Sequence, residues 1–386
     1  MGAFIMITGV ALMIIIHEGG HFLAAKGFGM KATEAFFGFG PRIWSITRGE
    51  TEYGVKAIPF GGYVRIIGMN PFEEIPPEDE GRTYRASPYW QKTIVVLAGI
   101  ASHFVVAFAL LWIVGVVWGT LATDEDGTVV RTTTVAAVSE YVTGTEDPSP
   151  AFEAGTQAGD TIRTAGGQVM NSWDAFTDYV ATRPGQTIVV GVEREGQPVE
   201  LTATLAAVER VQFDADGNAI TDADGEPVTE VVGFYGVTPE ALRESQGPIA
   251  MIGIAASQFG EAAVQSVQGL WQMVIGFPRL IASLFGGNDE ILDTVRPISP
   301  IGLVQIAGPL ESTLQLLALV NIFVGILNFV PLYPLDGGHF AVATYEKVTG
   351  REPNIERLLP VAAVVFIFLV SIGLVGVYLD IFRPLL

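Results

Sequence analysis

The sequence predicts a multi-pass α-helical membrane protein with four transmembrane helices and one extracytoplasmic domain. Hydrophobic residues make up 49% of the 386 residues and charged residues only 16%, whereas about a quarter of residues are charged in typical soluble domains. Four apolar segments reach the length of about 20 residues that a span requires. Between the second and third segments, the sequence is polar and acidic enough to form a domain outside the membrane.

The elements follow from composition along the chain. Glycines among β-forming residues predict strands and turns after the first span, and recurring Gln, Glu and Arg in an apolar helical pattern predict helices on the membrane surface. The predicted regions are a first transmembrane helix (1–26, with HEGGH), a cytoplasmic-side β-rich membrane-associated loop (27–92), a second transmembrane helix (93–120), the extracytoplasmic domain (121–240), membrane-surface helices (241–311), a third transmembrane helix (312–340, with LDGGH), and a loop with the fourth (341–386).

Charge predicts the orientation in the cell membrane. Basic residues collect in cytoplasmic loops, and all five lysines lie outside the acidic middle of the chain, at Lys26, Lys31, Lys56, Lys92 and Lys347. With four spans, both termini are then extracytoplasmic and the 121–240 domain faces outward. A net charge of −20 argues against binding to nucleic acid. We therefore expect membrane lipid as a partner and no nucleic acid.

The first span contains a candidate metal site. In HEGGH, His17 and His21 are four residues apart and lie on one face of a helix, where two imidazoles can share a metal ion. Glu18 lies beside them and can act as the catalytic base. With no cysteine in the chain, zinc must be held by His, Asp or Glu. The alternative is a polar pair that forms hydrogen bonds across a helix interface.

Catalytic zinc usually has three protein ligands, and Asp336 is the candidate for the third. It follows the third span, where Pro331 and Pro334 break the helix. Interrupted backbone at membrane depth belongs beside a cavity, and the topology brings Asp336 and His21 to a similar depth near the cytoplasmic side. The alternative is an ordinary turn residue in an Asp-Gly pair.

These motifs, in this order, resemble the site-2 protease family of zinc intramembrane metalloproteases. The segment GFGPRIWSITRGETEYGVKAIPFGGYVRIIGM is similar to the region after the zinc helix in bacterial members that cleave anti-sigma factors, the actinobacterial type especially, and SPAFEAGTQAGDTIRTAGGQVMNSWDAF is similar to the family's PDZ segment. The resemblance implies a PDZ-like α+β fold for the outer domain. It also implies Zn2+ on His17, His21 and Asp336, with Glu18 as the base.

The activity implied by the resemblance is zinc-dependent cleavage of single-span membrane proteins within the bilayer. The implied substrates are anti-sigma factors that have already received a first extracytoplasmic cut, in regulated intramembrane proteolysis for stress signalling and sigma-factor regulation. Two other hypotheses remain open from the residues. One is a non-enzymatic membrane receptor or scaffold with a structural metal site, and the other is a transporter with Glu18 and Asp336 on an ion path.

Four further residues are candidates for substrate binding. The family's GPxxN element reads GIASH here, so His103 replaces an asparagine, and it is either a substrate contact or a helix-interface histidine. Asn328 resembles the family's asparagine that helps to hold substrate, with interhelical hydrogen bonding as its alternative. Gly61 and Gly62 permit close approach of an unwound segment to a strand edge.

Overall fold

Long apolar runs form helices and the glycine-containing segments form strands. The computed structural model describes residues 1–70, 73–212, 220–221, 227–286, 296–351 and 354–384. In chain order the helices are α1 (Gly2–Gly27), α2 (Tyr89–Trp118), α3 (Pro150–Glu153), α4 (Trp173–Ala181), α5 (Pro248–Gly286), α6 (Pro300–Gln305), α7 (Leu310–Phe329), α8 (Asp336–Thr349) and α9 (Ile355–Phe382), with a 3-10 helix at Pro77–Arg82. The strands are β1 (Ala32–Arg48), β2 (Thr51–Ile66), β3 (Thr120–Leu121), β4 (Arg131–Val138), β5 (Thr161–Ala165), β6 (Gln168–Val169), β7 (Thr187–Arg194), β8 (Gln197–Thr204), β9 (Ala206–Val211), β10 (Thr229–Phe234), β11 (Val237–Ala241) and β12 (Arg243–Glu244).

The chain divides into two compact units. One consists of Met1–Trp118 and Gln246–Leu386, and the other of Gly119–Ser245. Within the described part of the chain, four helices are long and apolar enough to cross a membrane: α1, α2, α7 and residues Arg357–Phe382 of α9. All four belong to the first unit.

Two regions differ from the sequence prediction. The third span ends at Phe329, and Asp336 begins the separate helix α8, so LDGGH is not part of the span as the range 312–340 implied. Region 241–311 contains one continuous helix of 39 residues, α5, and the short α6, whereas several surface helices were expected. Residues 287–295 of that region lie outside the described residues. Met251, Ala255 and Ala262 of α5 are buried in a cluster with residues of α2 and α7.

Glycines allow the apolar helices to pack closely. A Cβ atom at Gly20 would lie 2.6 Å from the Ala98 carbonyl oxygen, and one at Gly115 would overlap Met251. A Cβ atom at Gly325 would lie 3.1 Å from the Cβ atom of His103. Small residues at such contacts let helix backbones approach one another. Helix α2 therefore packs tightly against α1, α5 and α7.

Strands β1 and β2 each contribute two segments to one sheet. Residues 34–37 pair on one side with residues 62–65 and on the other with residues 52–55, and residues 44–48 pair with 51–55. The order across the sheet is therefore 62–66, 32–37, 51–55 and 42–48. Segment 62–66 has a partner on one side only among the described residues, which makes it an edge of this sheet. Large apolar side chains are exposed on the sheet, including Phe39, Ile43, Trp44 and Ile58.

The second unit has an α+β core. Its main antiparallel sheet has the strand order β11-β4-β5-β7-β8, with β6 beside β5. Helix α4 begins at the N-cap Ser172, whose side chain accepts a hydrogen bond from the amide of Ala175. Buried side chains of α4 and the sheet form one cluster, which includes Val135, Ile162, Trp173, Phe176, Val190 and Leu201.

The end of α9 is attached by a buried ion pair. Asp380 is fully buried, and its carboxylate accepts hydrogen bonds from Arg296 (3.0 Å) and from the main-chain amide of Ser299 (2.8 Å). Removing one partner of a buried pair costs about 3–5 kcal/mol, because the other charge stays buried without compensation. We expect Asp380→Ala to lower the unfolding temperature in detergent substantially. The double variant Asp380→Leu with Arg296→Leu should lose less, and equal unfolding temperatures for Asp380→Ala and the wild type would contradict this role.

Candidate metal centre

Three side chains from α1 and α8 converge on one point. The Nε2 atoms of His17 and His21 are 3.3 Å apart, and Oδ2 of Asp336 lies 3.3 Å from each. Helical spacing brings the two histidines together on α1. Asp336 is the first residue of α8, whose close return onto the end of α7 depends on Gly337, because a Cβ atom there would overlap the carbonyl oxygens of Phe329 and Val330.

The geometry of these three atoms suits zinc. Tetrahedral zinc binds nitrogen and oxygen at about 2.0–2.2 Å, which requires ligand atoms about 3.3 Å apart. His21 donates its Nδ1 proton to the carbonyl oxygen of Val95 (2.8 Å), so its Nε2 atom carries a free lone pair. The three side chains are mostly buried, with 8–18% of their surface exposed. Three protein ligands leave one coordination position free, which is typical of catalytic zinc.

Glu18 lies between this cluster and the sheet edge. Its carboxylate faces the main-chain amide of Val64, in the edge segment of β2. Gly62 lets the strand lie close to α1, because a Cβ atom there would lie 3.1 Å from Cγ2 of Ile14. Gly61 has a φ of +111°, a conformation that favours glycine. The structure thus brings Glu18, Gly61 and Gly62 to one place.

The other two predicted residues, His103 and Asn328, lie on α2 and α7. The ring of His103 is 4.7 Å from the ring of His17, and its Nδ1 atom lies 3.2 Å from Oδ1 of Asn321. Asn328 is half-buried near the end of α7, two helical turns beyond Asn321 and so on the same face. His103 is not one of the three converging residues.

Two residues at the centre are not among those predicted from the sequence. Asn321 is buried on α7 and contacts His103, and the imidazole of His21 occupies the space where a Cβ atom of Gly99 would be. Gly99 could have been found as the first residue of the GIASH element. For Asn321 the only signal was a polar residue within an apolar run.

Gly99 is expected to position His21. In Gly99→Ala, the added methyl group would overlap the imidazole and displace it, and we expect zinc affinity to fall about 10- to 100-fold, as it does on loss of an outer-shell contact. Gly253→Ala is the matched control, because a Cβ atom there meets nothing within 4 Å. Zinc affinity can be measured by competition with a chelator. Equal affinities for Gly99→Ala and wild type would rule out this role.

A charged cluster holds the sheet against the end of α1. Glu50, in the turn between β1 and β2, accepts hydrogen bonds from Lys26 (2.5 Å) and Arg82 (2.8 and 2.9 Å). Arg82 first, and Lys26 second, lower the pKa of Glu50 to about 2. Glu50 therefore stays ionised at physiological pH, and the three side chains link α1, the sheet and the 3-10 helix beside the site.

Comparison with known proteins identifies the family. The model of peptidase family M50 matches residues 5–372. Zinc metalloprotease Rip1 of Mycolicibacterium smegmatis is 31% identical over this whole chain and 98% of its own length, and that of Mycobacterium tuberculosis is 29% identical with the same coverage. Among solved structures, the PDZ domain of an SdrC-like protein from Listeria monocytogenes is 21% identical, covers 28% of this chain and 85% of its own, and has a TM-score of 0.17.

The M50 match includes both HEGGH and LDGGH, and both Rip1 relatives are named as zinc metalloproteases. The family predicted from these motifs is thereby confirmed, and so is zinc as the cofactor. A protease is favoured over the receptor and transporter hypotheses. The chain belongs to peptidase family M50, and it is an intramembrane zinc metalloprotease of the site-2 protease type.

Proposed function

We propose that this protease cleaves single-span membrane proteins within the bilayer, and that its substrates are anti-sigma factors already shortened by an extracytoplasmic cut. The observation that carries the proposal is the convergence of His17, His21 and Asp336 beside Glu18 and a free sheet edge, on helices apolar enough to span a membrane. The assignment to anti-sigma factors rests on the resemblance of residues 38–69 to the corresponding family segment.

His17, His21 and Asp336 hold the zinc ion in this proposal, and Glu18 is the base. When bound, zinc acts as a Lewis acid that polarises the scissile carbonyl and activates water. A carboxylate oxygen of Glu18 takes a proton from the attacking water and later gives it to the nitrogen of the leaving amine, so that one peptide bond and one water become a carboxylate and an amine. The Glu18 carboxylate faces the main-chain amide of Val64, at the edge of the sheet.

The substrate is bound as an extended strand. In an intact helix, the amide and carbonyl groups of a peptide bond form intrahelical hydrogen bonds. The target segment must therefore unwind before its scissile carbonyl is accessible. Segment 62–66 of β2 can pair with the unwound segment through its free edge. Beside this edge is a cavity of about 800 Å³, lined by Tyr63, Val64, Tyr333, Leu358 and Ala362 among others, which provides room for that strand.

The site lies near the cytoplasmic side in this proposal, with both termini extracytoplasmic. Lys26 follows His21 by five residues, or about 7.5 Å of helical rise, and it belongs to the cluster with Glu50 and Arg82. Such a polar cluster belongs in water rather than in hydrocarbon. Water can then reach the zinc from the cytoplasm over a short distance.

The Gly119–Ser245 unit selects substrates and does no chemistry in this proposal. Neither the three candidate zinc ligands nor the base Glu18 belongs to this unit. We interpret it as the predicted PDZ-like domain. It has a groove of about 370 Å³ between α4 and β11, lined by Trp173, Phe176, Arg210 and Val237 among others, in which an extended chain can be held.

The test is cleavage of a defined substrate in detergent. Purified wild-type protein is incubated with a single-span anti-sigma factor whose ectodomain has been shortened. The masses of the fragments are then measured by mass spectrometry to locate the cleaved bond. We expect zinc-dependent cleavage at a bond inside the span. The same substrate with its span replaced by polyleucine is the control and should resist cleavage, because its helix does not unwind. Cleavage outside the span, or equal cleavage of both substrates, would contradict the proposal.

A further inference from the structure

His103 and Asn321 form a buried pair that the chemistry described so far does not use. The two side chains are 2% and 1% exposed, and they join α2 to α7 through the contact between Nδ1 of His103 and Oδ1 of Asn321. The glycine at position 325 lets the two helices approach closely at this point.

The hydrogen bonds of Asn321 determine which nitrogen of His103 carries the proton. Nδ2 of Asn321 donates to the carbonyl oxygen of Leu317 (2.7 Å), which accepts only. The amide therefore presents its oxygen, Oδ1, to His103. Because an amide oxygen is an acceptor, the Nδ1 atom of His103 must be the donor. In the neutral ring, Nε2 then carries a lone pair and no proton.

This Nε2 atom is buried and has no hydrogen-bond partner among the described residues. Buried polar atoms are rarely left without a partner, so the atom points to a ligand. Its ring lies 4.7 Å from that of His17, beside the candidate metal centre. It does not belong to the three atoms that converge there.

We propose that Nε2 of His103 accepts a hydrogen bond from a main-chain amide of the unwound substrate, and that Asn321 is the positioning residue that fixes this tautomer. The inference rests on the proposed function. An unwound segment loses the acceptors that its amides had in the helix, and each amide that is buried without a partner is costly. An imidazole with an unprotonated Nε2 provides one such acceptor, and it is a weaker choice for an oxyanion, which needs a donor.

The first test reads the tautomer without any activity measurement. NMR spectra of zinc-loaded protein labelled with 15N-histidine should show His103 protonated at Nδ1 only, and Asn321→Leu should shift that signal toward the Nε2-protonated form. Thr313→Val is the control, because Thr313 is another buried polar residue of α7 that donates to a main-chain carbonyl. A His103 protonated at Nε2 in wild-type protein would overturn the inference. So would a weaker zinc affinity of His103→Leu, which would assign the residue to the metal.

The second test separates binding from chemistry. In the cleavage assay, His103→Leu and Asn321→Leu should each lower kcat/KM by about 10- to 100-fold, because the first removes the acceptor for a buried amide and the second no longer fixes the tautomer that presents it. His103→Gln, whose side-chain oxygen can accept, should recover part of the loss. Full activity of both leucine variants would overturn the inference. If wild-type protein cleaves no single-span substrate, the proposed function fails, while the NMR result still decides the tautomer.

Discussion

Replacing Glu18 with glutamine is expected to lower kcat for peptide cleavage by about 10²- to 10⁴-fold, the usual contribution of a general base. Glutamine has nearly the same shape, and its side-chain oxygen can still face the Val64 amide. It cannot take a proton from water. Zinc content and folding should therefore be unchanged, and the rate of cleavage of a fixed substrate measures the loss.

The zinc content of Glu18→Gln is the necessary control. Loss of zinc together with activity would place Glu18 among the ligands and not in the role of base. Activity within a few-fold of wild type would show that another group accepts the proton, and the assignment of Glu18 would be wrong.

Asp336→Ala is expected to remove both zinc and activity. Only two protein ligands, His17 and His21, would remain, and the site would lose the negative charge that faces both imidazoles at 3.3 Å. Zinc affinity should fall by more than the loss of about 10- to 100-fold that follows removal of an outer-shell partner. Elemental analysis of the purified protein measures it directly.

Glu346→Ala is the matched control on the same helix. Glu346 is also acidic, but it forms an ion pair with Lys92 and takes no part in the converging cluster. It should retain about one zinc per chain, the usual complement of a catalytic site. A full complement of zinc in Asp336→Ala would eliminate Asp336 as a ligand.

The predictable part of the site depends on local spacing. His17 and His21 are one helical turn apart whatever surrounds them, and the prolines before Asp336 mark a helix break in any context. Helical spacing therefore predicts His17 and His21 as zinc ligands directly. Asp336 is predicted as the third ligand because the expected topology puts it at the same depth in the membrane as His21.

The rest depends on contacts between distant segments. Gly61 and Gly62 indicate a strand edge that another chain can approach, but the order of the segments in the sheet follows from the pairing of residues 34–37 with two different segments, which the sequence does not predict. Asn321 escaped notice because its role depends on the rotation of α7 relative to α2. The glutamines of α5 predict a position on the membrane surface, but its packing against α2 and α7 through small apolar residues depends on contacts that the sequence does not predict.

We expect one zinc ion to be bound by His17, His21 and Asp336, with one coordination position left open. X-ray absorption at the zinc edge of the purified wild-type protein should show four nitrogen or oxygen ligands at about 2.0–2.2 Å, with the scattering of two imidazoles. A spectrum with three imidazole ligands would bring His103 into the metal site and contradict this ligand set. A spectrum with fewer than two imidazole ligands would also contradict it.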